Sequence, residues 1–127
     1  MRKVWVYDPH SGGTAIPSAI KVRTERRIFD HVGKHYAGKF ARVDVRFRGA
    51  LCYIDGYQER SNSNSGSTQP NDDVPLRLCR IRFFGDEDRW SYAHYNYSYE
   101  KYEPSFLLNG EFHGTPEEAF DTATQFY

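Results

Sequence analysis

The chain has few cysteines and no long hydrophobic run. Only 2 Cys occur among 127 residues, too few for a small scaffold held by several disulfides, so we expect Cys52 and Cys79 to be reduced, buried thiols. No stretch approaches the roughly 18 apolar residues of a membrane span, and no signal-peptide pattern follows Met1. The sequence therefore predicts a cytoplasmic protein with no membrane partner.

Aliphatic side chains are also scarce, with 17 Leu, Ile and Val residues against 21 aromatic residues. Rings must therefore supply much of the buried area, and each Tyr has to place its hydroxyl near water or a partner. Aromatic side chains suit the pleated, half-buried surface of strands better than a helix bundle. The composition favours a sheet-based fold in one domain over residues 1–127.

The net charge is zero, but the two halves of the chain differ. Residues 1–60 carry 12 Lys and Arg against 6 Asp and Glu, whereas residues 61–127 carry 5 against 11. Such asymmetry can indicate a site for a polyanion. We favour the alternative interpretation, in which the basic and acidic halves face each other within one fold.

Hydrophobic periodicity and turn residues predict two helices and several strands. Ile28, Val32 and Tyr36 recur at four-residue spacing in a helix capped by Ser18, and Phe29 widens this stripe. The predicted elements are strand Val4–Tyr7, helix Ser18–Tyr36, strands Ala41–Arg48, Leu51–Tyr57, Leu76–Phe84 and Trp90–Tyr97, and a helix after Thr115.

Alternation of apolar and charged residues is clearest in the strand at 41–48, which indicates a half-buried strand with one wet face. Gly49 and Ala50 form the predicted turn that connects this strand to the next. In the strand at 76–84, the same rule places Leu78 with the charged residues and opposite the core. The predicted core-facing residues there are Cys79, Ile81 and Phe83, and the predicted outward residues are Leu78, Arg80 and Arg82.

The C-terminal helix has a complete start signal. Thr115 is the predicted N-cap, Pro116 the first helical residue, and Glu118 completes a capping box. Between the sheet strands, the polar stretch 58–75 cannot bury a core and is predicted to be a flexible loop within one domain. The fold class is therefore predicted as α+β, an antiparallel sheet of about four to five strands with both terminal helices packed on one face.

Histidines are the first candidates for chemistry. His31 and His35 stand four apart on the first helix, a spacing that lets two imidazoles share a metal, although a third ligand such as Asp30 is still required. His10 lies near Asp8 and Ser11 in sequence, which does not make a catalytic triad in space. We predict no catalytic residue, no metal site and no cofactor, and keep a small hydrolase or metal-dependent enzyme using His10, His31 or His35 as an alternative.

Arginine and tyrosine side chains are predicted to share the face of the sheet opposite the helices. This combination is typical of surfaces that hold phosphates and stack bases of single-stranded nucleic acid. It is equally typical of protein interfaces, and a solvated face with internal Arg–Asp pairs would show the same pattern. The candidate surface residues are Arg42, Arg46, Arg48, Tyr53, Arg80 and Arg82.

Two runs of residues resemble a group of small bacterial proteins to which no function is assigned. These runs are Arg46–Asp55 and the C-terminal segment from Tyr102 through Phe120. The resemblance covers most of the chain outside the loop at 58–75. It implies a bacterial origin and implies no activity, ligand or site residue.

A non-catalytic binding module is the function that the residues favour. Protein–protein interaction, with the same chain or another protein, is the preferred use of the Arg and Tyr face. Zero net charge makes nucleic acid the second choice. An enzyme would instead need a concave pocket in which two or more of the candidate histidines converge.

Overall fold

The computed structural model describes residues 12–58 and 75–125. The predicted strand Val4–Tyr7, His10 and nearly all of the predicted loop at 58–75 lie outside these described residues. The elements in chain order are α1 (Ser18–His35), β1 (Phe40–Arg48), β2 (Leu51–Gln58), β3 (Leu76–Phe83), β4 (Trp90–Asn96), β5 (Lys101–Pro104), β6 (His113–Gly114) and α2 (Pro116–Thr124).

The strands form an antiparallel sheet in the order β1-β2-β3-β4-β5, and β6 also pairs with β4. Helix α1 packs against β1 and α2, and α2 packs against β3 and β4. Both helices therefore cover one face of the sheet, and the predicted α+β class is confirmed. The sheet has two more strands than the four predicted between the helices, because β5 and β6 are too short to show periodicity.

The β1–β2 hairpin follows from its sequence. Gly49 adopts φ 60° at the first position of the two-residue turn, the conformation that makes glycine the preferred residue there. On the helix side, a Cβ atom at Gly56 would lie 2.8 Å from the Phe40 ring. Glycine at this position therefore lets the Phe40 ring pack directly against the backbone of β2.

Strand β3 departs from simple alternation at Leu78. Ile54 of β2 pairs with Cys79, whereas the next residue, Asp55, pairs with Arg77, so Leu78 is an extra residue on β3. A β-bulge of this kind turns two consecutive side chains to the same face. Leu78 and Cys79 are both buried, and the prediction that Leu78 faces outward with Arg80 is wrong.

The helix starts differ in how well they were predicted. Helix α1 begins at Ser18, but Pro17 occupies the N-cap position and no side chain caps it, so the predicted Ser18 cap is wrong. Phe29 is 43% exposed and does not join the core stripe of Ile28. The capping box of α2 is present, with Thr115 and Glu118 exchanging hydrogen bonds as predicted.

The core lies between the helices and one face of the sheet, and it is rich in rings, as the composition indicated. Trp90, Tyr92 and Phe120 are among the largest fully buried side chains. Cys52 and Cys79 are free thiols without exposure, and burial raises the pKa of both.

Among the described residues, no helix is long and apolar enough to cross a membrane.

Candidate interaction surface

The face of the sheet opposite the helices carries the predicted Arg and Tyr residues. We call it the open face. Strand register and alternation assign its members. They are Arg42, Asp44, Arg46 and Arg48 from β1, Leu51, Tyr53, Asp55 and Tyr57 from β2, Arg77, Arg80 and Arg82 from β3, Ser91, Ala93 and Tyr95 from β4, and Tyr102 and Pro104 from β5.

Four guanidinium groups of the open face lie over tyrosine rings. The distances from the guanidinium carbon to the ring centroid are between 4.0 and 5.2 Å. Stacking of this kind is attractive and limits the freedom of the long arginine side chain. The stacked pairs are Arg42 on Tyr57, Arg46 on Tyr53, Arg77 on Tyr95 and Arg80 on Tyr102.

A buried carboxylate lies at the centre of the open face. The side chain of Asp55 is 7% exposed, and its Oδ2 accepts a hydrogen bond from Arg46 Nη2 at 2.9 Å. The other oxygen, Oδ1, is buried and has no hydrogen-bond partner among the described residues. A buried charge is costly unless it is paired. The ion pair with Arg46 therefore offsets the cost of burying the Asp55 carboxylate there.

Three tyrosine rings meet beside this carboxylate. The Tyr102 ring contacts the rings of Tyr53 and Tyr95 edge to face, with centroids 5.5 and 4.9 Å away. Burial and the negative charge of Asp55 raise the pKa of Tyr102 to about 12, while the nearby Arg77 guanidinium opposes this shift. The centre of the open face is therefore a packed polar cluster rather than a set of independent solvated side chains.

The structure places all six candidate surface residues on the open face, but in different roles. Arg42 donates from Nε to Asp44 at 3.2 Å, and this ion pair is exposed to solvent. Arg48 is exposed at the end of β1. Arg82 donates to the carbonyl oxygen of Gly12 at 3.0 Å, so it holds the chain segment before α1 and is the candidate least suited to a ligand.

Sequence reasoning missed Arg77 and Tyr102. Strict alternation from Cys79 would place Arg77 on the core side, and only the bulge at Leu78 brings it to the open face opposite Asp55. An arginine assigned to a core is itself a sign of broken alternation, because buried arginines are rare. Tyr102 lies on β5, whose four residues give no periodic signal.

Of the candidate histidines, His31 takes part in the contact between the two helices and His35 lies beside it on α1. The Nε2 atom of His31 lies 2.7 Å from Asp121 Oδ1, and the same oxygen accepts a hydrogen bond of 2.6 Å from the Tyr36 hydroxyl. The rings of His31 and His35 are 4.7 Å apart. No group of three or more His, Cys, Asp or Glu side chains within 12–58 and 75–125 is arranged to hold a metal ion.

A depression of about 500 Å³ lies between α1 and the β3–β4 turn, away from the open face. Charged side chains line it, and several of them pair with one another across it. The lining residues are Arg23, Arg26, Arg27, Asp30, Glu87 and Asp88. It contains no histidine, so it does not provide the convergence that the enzyme hypothesis needs.

Comparison with known proteins gives no relative: no family model matches the chain, and neither a curated protein nor a solved structure is similar to it. The bacterial origin implied by the resemblance of Arg46–Asp55 and the C-terminal segment stays a prediction.

Proposed function

We propose that the chain is a non-catalytic binding module whose open face contacts an acidic segment or surface of a protein partner. The observation that carries this proposal is the set of four arginines stacked on tyrosines. A guanidinium held on a ring loses less conformational entropy when it binds a partner than a freely moving one does. Arginine and tyrosine are also residues that dominate the energetics of protein interfaces.

The charge of the open face indicates the sign of the partner. Its six arginines outnumber its two aspartates, Asp44 and Asp55. Because the N–H groups of a guanidinium lie in its plane, a group stacked on a ring can still donate sideways to an acceptor. Carboxylates match this geometry and accept two hydrogen bonds from one guanidinium. A segment rich in Asp and Glu therefore suits the open face.

Two features favour a protein partner over single-stranded nucleic acid. Tyr53, Tyr57, Tyr95 and Tyr102 are each already covered on one side by a guanidinium, whereas bases need open ring faces on which to stack. In addition, the carboxylate of Asp44 is partly exposed on the same face, and it would repel a closely packed run of phosphates.

The test uses fluorescence anisotropy with two labelled probes, a Glu-rich peptide and an oligothymidine of similar charge. The variant Arg48→Ala with Arg80→Ala removes two charges from the open face. The control Arg26→Ala with Lys34→Ala removes two charges from exposed positions on α1. We expect the peptide to bind, and the open-face variant to weaken its binding roughly tenfold, which corresponds to about 1.4 kcal/mol.

The possible results separate the hypotheses. If the oligothymidine binds more tightly than the peptide and its affinity depends steeply on salt, the partner is nucleic acid rather than a protein. Equal loss in the open-face variant and in the α1 control would show that only net charge matters. Absence of binding to both probes at low salt would reject the open face as an anion-binding surface.

A further inference from the structure

Strand β1 has an unpaired outer edge within the described residues. It is nine residues long, stands at the end of the strand order and pairs with β2 alone. From Arg42 to Arg48 its register with β2 has no irregularity. Because a two-residue turn joins Arg48 to Leu51, the backbone N–H and C=O groups of Val43, Val45 and Phe47 point away from β2. Such an edge pairs readily with another strand.

Partly exposed apolar side chains occur both near this edge and on helix α1. Val45 and Phe47 are only partly buried where they pack at the margin of the core. On α1, Arg27 and His31 face α2, where they contact Glu117 and Asp121. The helical repeat places Val22 and Phe29 on the opposite flank of α1, which points away from α2, and they are 57% and 43% exposed.

We propose that the outer edge of β1 binds a second copy of the chain, with the two β1 strands antiparallel and Val45 on the two-fold axis. Val45 then pairs with Val45 of the second copy, and Val43 with Phe47, through the outward-pointing backbone groups. The backbone pairing lies at the edge of the sheet, and it does not rest on the function proposed for the open face.

The regular segment from Arg42 to Arg48, whose middle residue is Val45, and charge complementarity together favour this register. A register centred on Val43 would also pair opposite charges, Arg42 with Asp44, but it would extend into the irregularity between Phe40 and Arg42. With Val45 on the axis, Asp44 lies opposite Arg46 of the second copy, twice by symmetry, and opposite charges facing across strands are stabilising. A register centred on Asp44 would place two aspartates opposite each other and Arg42 opposite Arg46, and a register centred on Arg46 would place two arginines together. The chosen register keeps one like-charged pair, Arg42 opposite Arg48, at each solvent-exposed end.

Disulfide trapping tests the register directly. In the proposed dimer the Cα atoms of Val45 and its symmetry mate are about 5.5 Å apart, within the range that a disulfide spans. We expect Val45→Cys to form a covalent dimer under mild oxidation. The control Ala41→Cys places a thiol at an exposed position of the same strand, about 27 Å along the strand from its own mate, and should not link. Cys52 and Cys79 are buried in both variants.

Sedimentation equilibrium tests the interaction without a new thiol. We expect the wild-type chain to sediment with twice its 14.8 kDa mass as concentration rises. Asp44→Lys places a lysine opposite Arg46 of the second copy and should weaken the dimer at least tenfold, which is about 1.4 kcal/mol. The control Asp30→Lys makes the same charge change at an exposed position of α1 and should leave the dimer intact.

Three results would overturn the proposal. The first is a wild-type chain that stays monomeric at every concentration. The second is a dimer that links as readily through Ala41→Cys as through Val45→Cys. The third is a dimer that Asp44→Lys and Asp30→Lys affect equally. None of these results bears on binding of the Glu-rich peptide, so the two proposals fail separately.

Discussion

At the scale of single residues, Asp55 is the group on which the open face depends most. Replacing it by Asn keeps the shape of the side chain but removes the charge that holds Arg46 at 2.9 Å. We expect Asp55→Asn to lower the free energy of unfolding by about 1.5–3 kcal/mol, the range for a hydrogen bond to a charged group. Urea denaturation measures this loss.

The control for Asp55→Asn is Glu87→Gln, which neutralises the carboxylate of an exposed pair with Arg23. The side chains in that pair are 31% and 55% exposed, so water and salt screen their attraction. A smaller loss is therefore expected for Glu87→Gln. Equal losses in the two variants would show that burial does not strengthen the Arg46–Asp55 pair.

Single residues also show where sequence reasoning succeeds and fails. Alternation correctly assigned Arg42, Arg46 and Arg48 to one face, because β1 runs without a bulge from Arg42 onward. The same rule failed for Leu78, because a one-residue bulge reverses the faces on one side of it. Nor does a sequence reveal that His31 meets Asp121, since that contact depends on how two distant helices pack.

At the scale of secondary-structure elements, the start of α2 gives a direct prediction. The Thr115 hydroxyl accepts a hydrogen bond from the Glu118 backbone N–H at 3.1 Å, and Glu118 Oε1 accepts one from the Thr115 N–H at 2.8 Å. Thr115→Ala should lower the free energy of unfolding by about 1 kcal/mol. Thr115→Ser keeps the hydroxyl and should lose much less in the same urea titration. Similar losses in both variants would argue against the cap.

The contact between α1 and α2 predicts a dependence on acid. Arg27 binds Glu117 through two hydrogen bonds of 2.9 and 2.8 Å. Burial works to raise the pKa of Glu117, but the hydrogen bonds and charge of Arg27 outweigh it, and the pKa is lowered from 4.5. The folded state therefore binds this proton less tightly than the unfolded chain. The stabilisation is complete above pH 4.5 and is lost as the pH falls through the lowered pKa.

Glu117→Gln removes this titrating group, so comparison with the wild-type chain shows how much of the loss of stability in acid comes from Glu117. The urea midpoint of the wild-type chain should fall between about pH 5 and pH 3, and the variant should fall less steeply over the same interval. Parallel curves for the two proteins would show that Arg27 and Glu117 do not stabilise the helix contact.

Elements with caps or long periodic patterns were predictable, whereas short ones were not. Strands β1 to β4 and helix α2 follow from alternation, turn residues and the capping box. Strands β5 and β6 have four and two residues, and they form because β4 offers a partner edge rather than because of their own sequence. For this reason Tyr102, which completes the ring cluster of the open face, could not be placed in advance.

At the scale of the whole molecule, ion pairs join the basic half of the chain to the acidic half. Helix α1 supplies the cations, and the β3–β4 turn and α2 supply the carboxylates. The pairs are Arg23–Glu87, Arg27–Asp88 and Arg27–Glu117. Acidic residues of the second half are thus engaged on the helix side of the sheet. The six arginines of the open face keep a positive excess although the net charge is zero.

Stability toward alkali is also a property of the whole molecule, because four groups in different parts of the fold all have raised pKa values. Burial is the main cause that raises the pKa of Tyr36, Tyr102, Cys52 and Cys79. Each of these groups binds its proton more tightly in the folded state than in the unfolded chain. Their contribution to stability is therefore complete below the ordinary pKa values of 9.0 for Cys and 10.0 for Tyr, and it is lost as the pH rises through the raised values.

We expect the urea midpoint of the wild-type chain to fall steadily above pH 9.0, the ordinary pKa at which half of the unfolded thiols are ionised. Tyr102→Phe removes the group whose pKa is raised to about 12, so the decline above pH 10.0 should be shallower in this variant. Tyr99→Phe is the matched control, because Tyr99 is 71% exposed and its removal should leave the slope unchanged. A wild-type midpoint that does not change with alkaline pH, or equal slopes for the two variants, would mean that water reaches the ring cluster of the open face. In that case the arginines stacked on it would not be held in place before a partner binds.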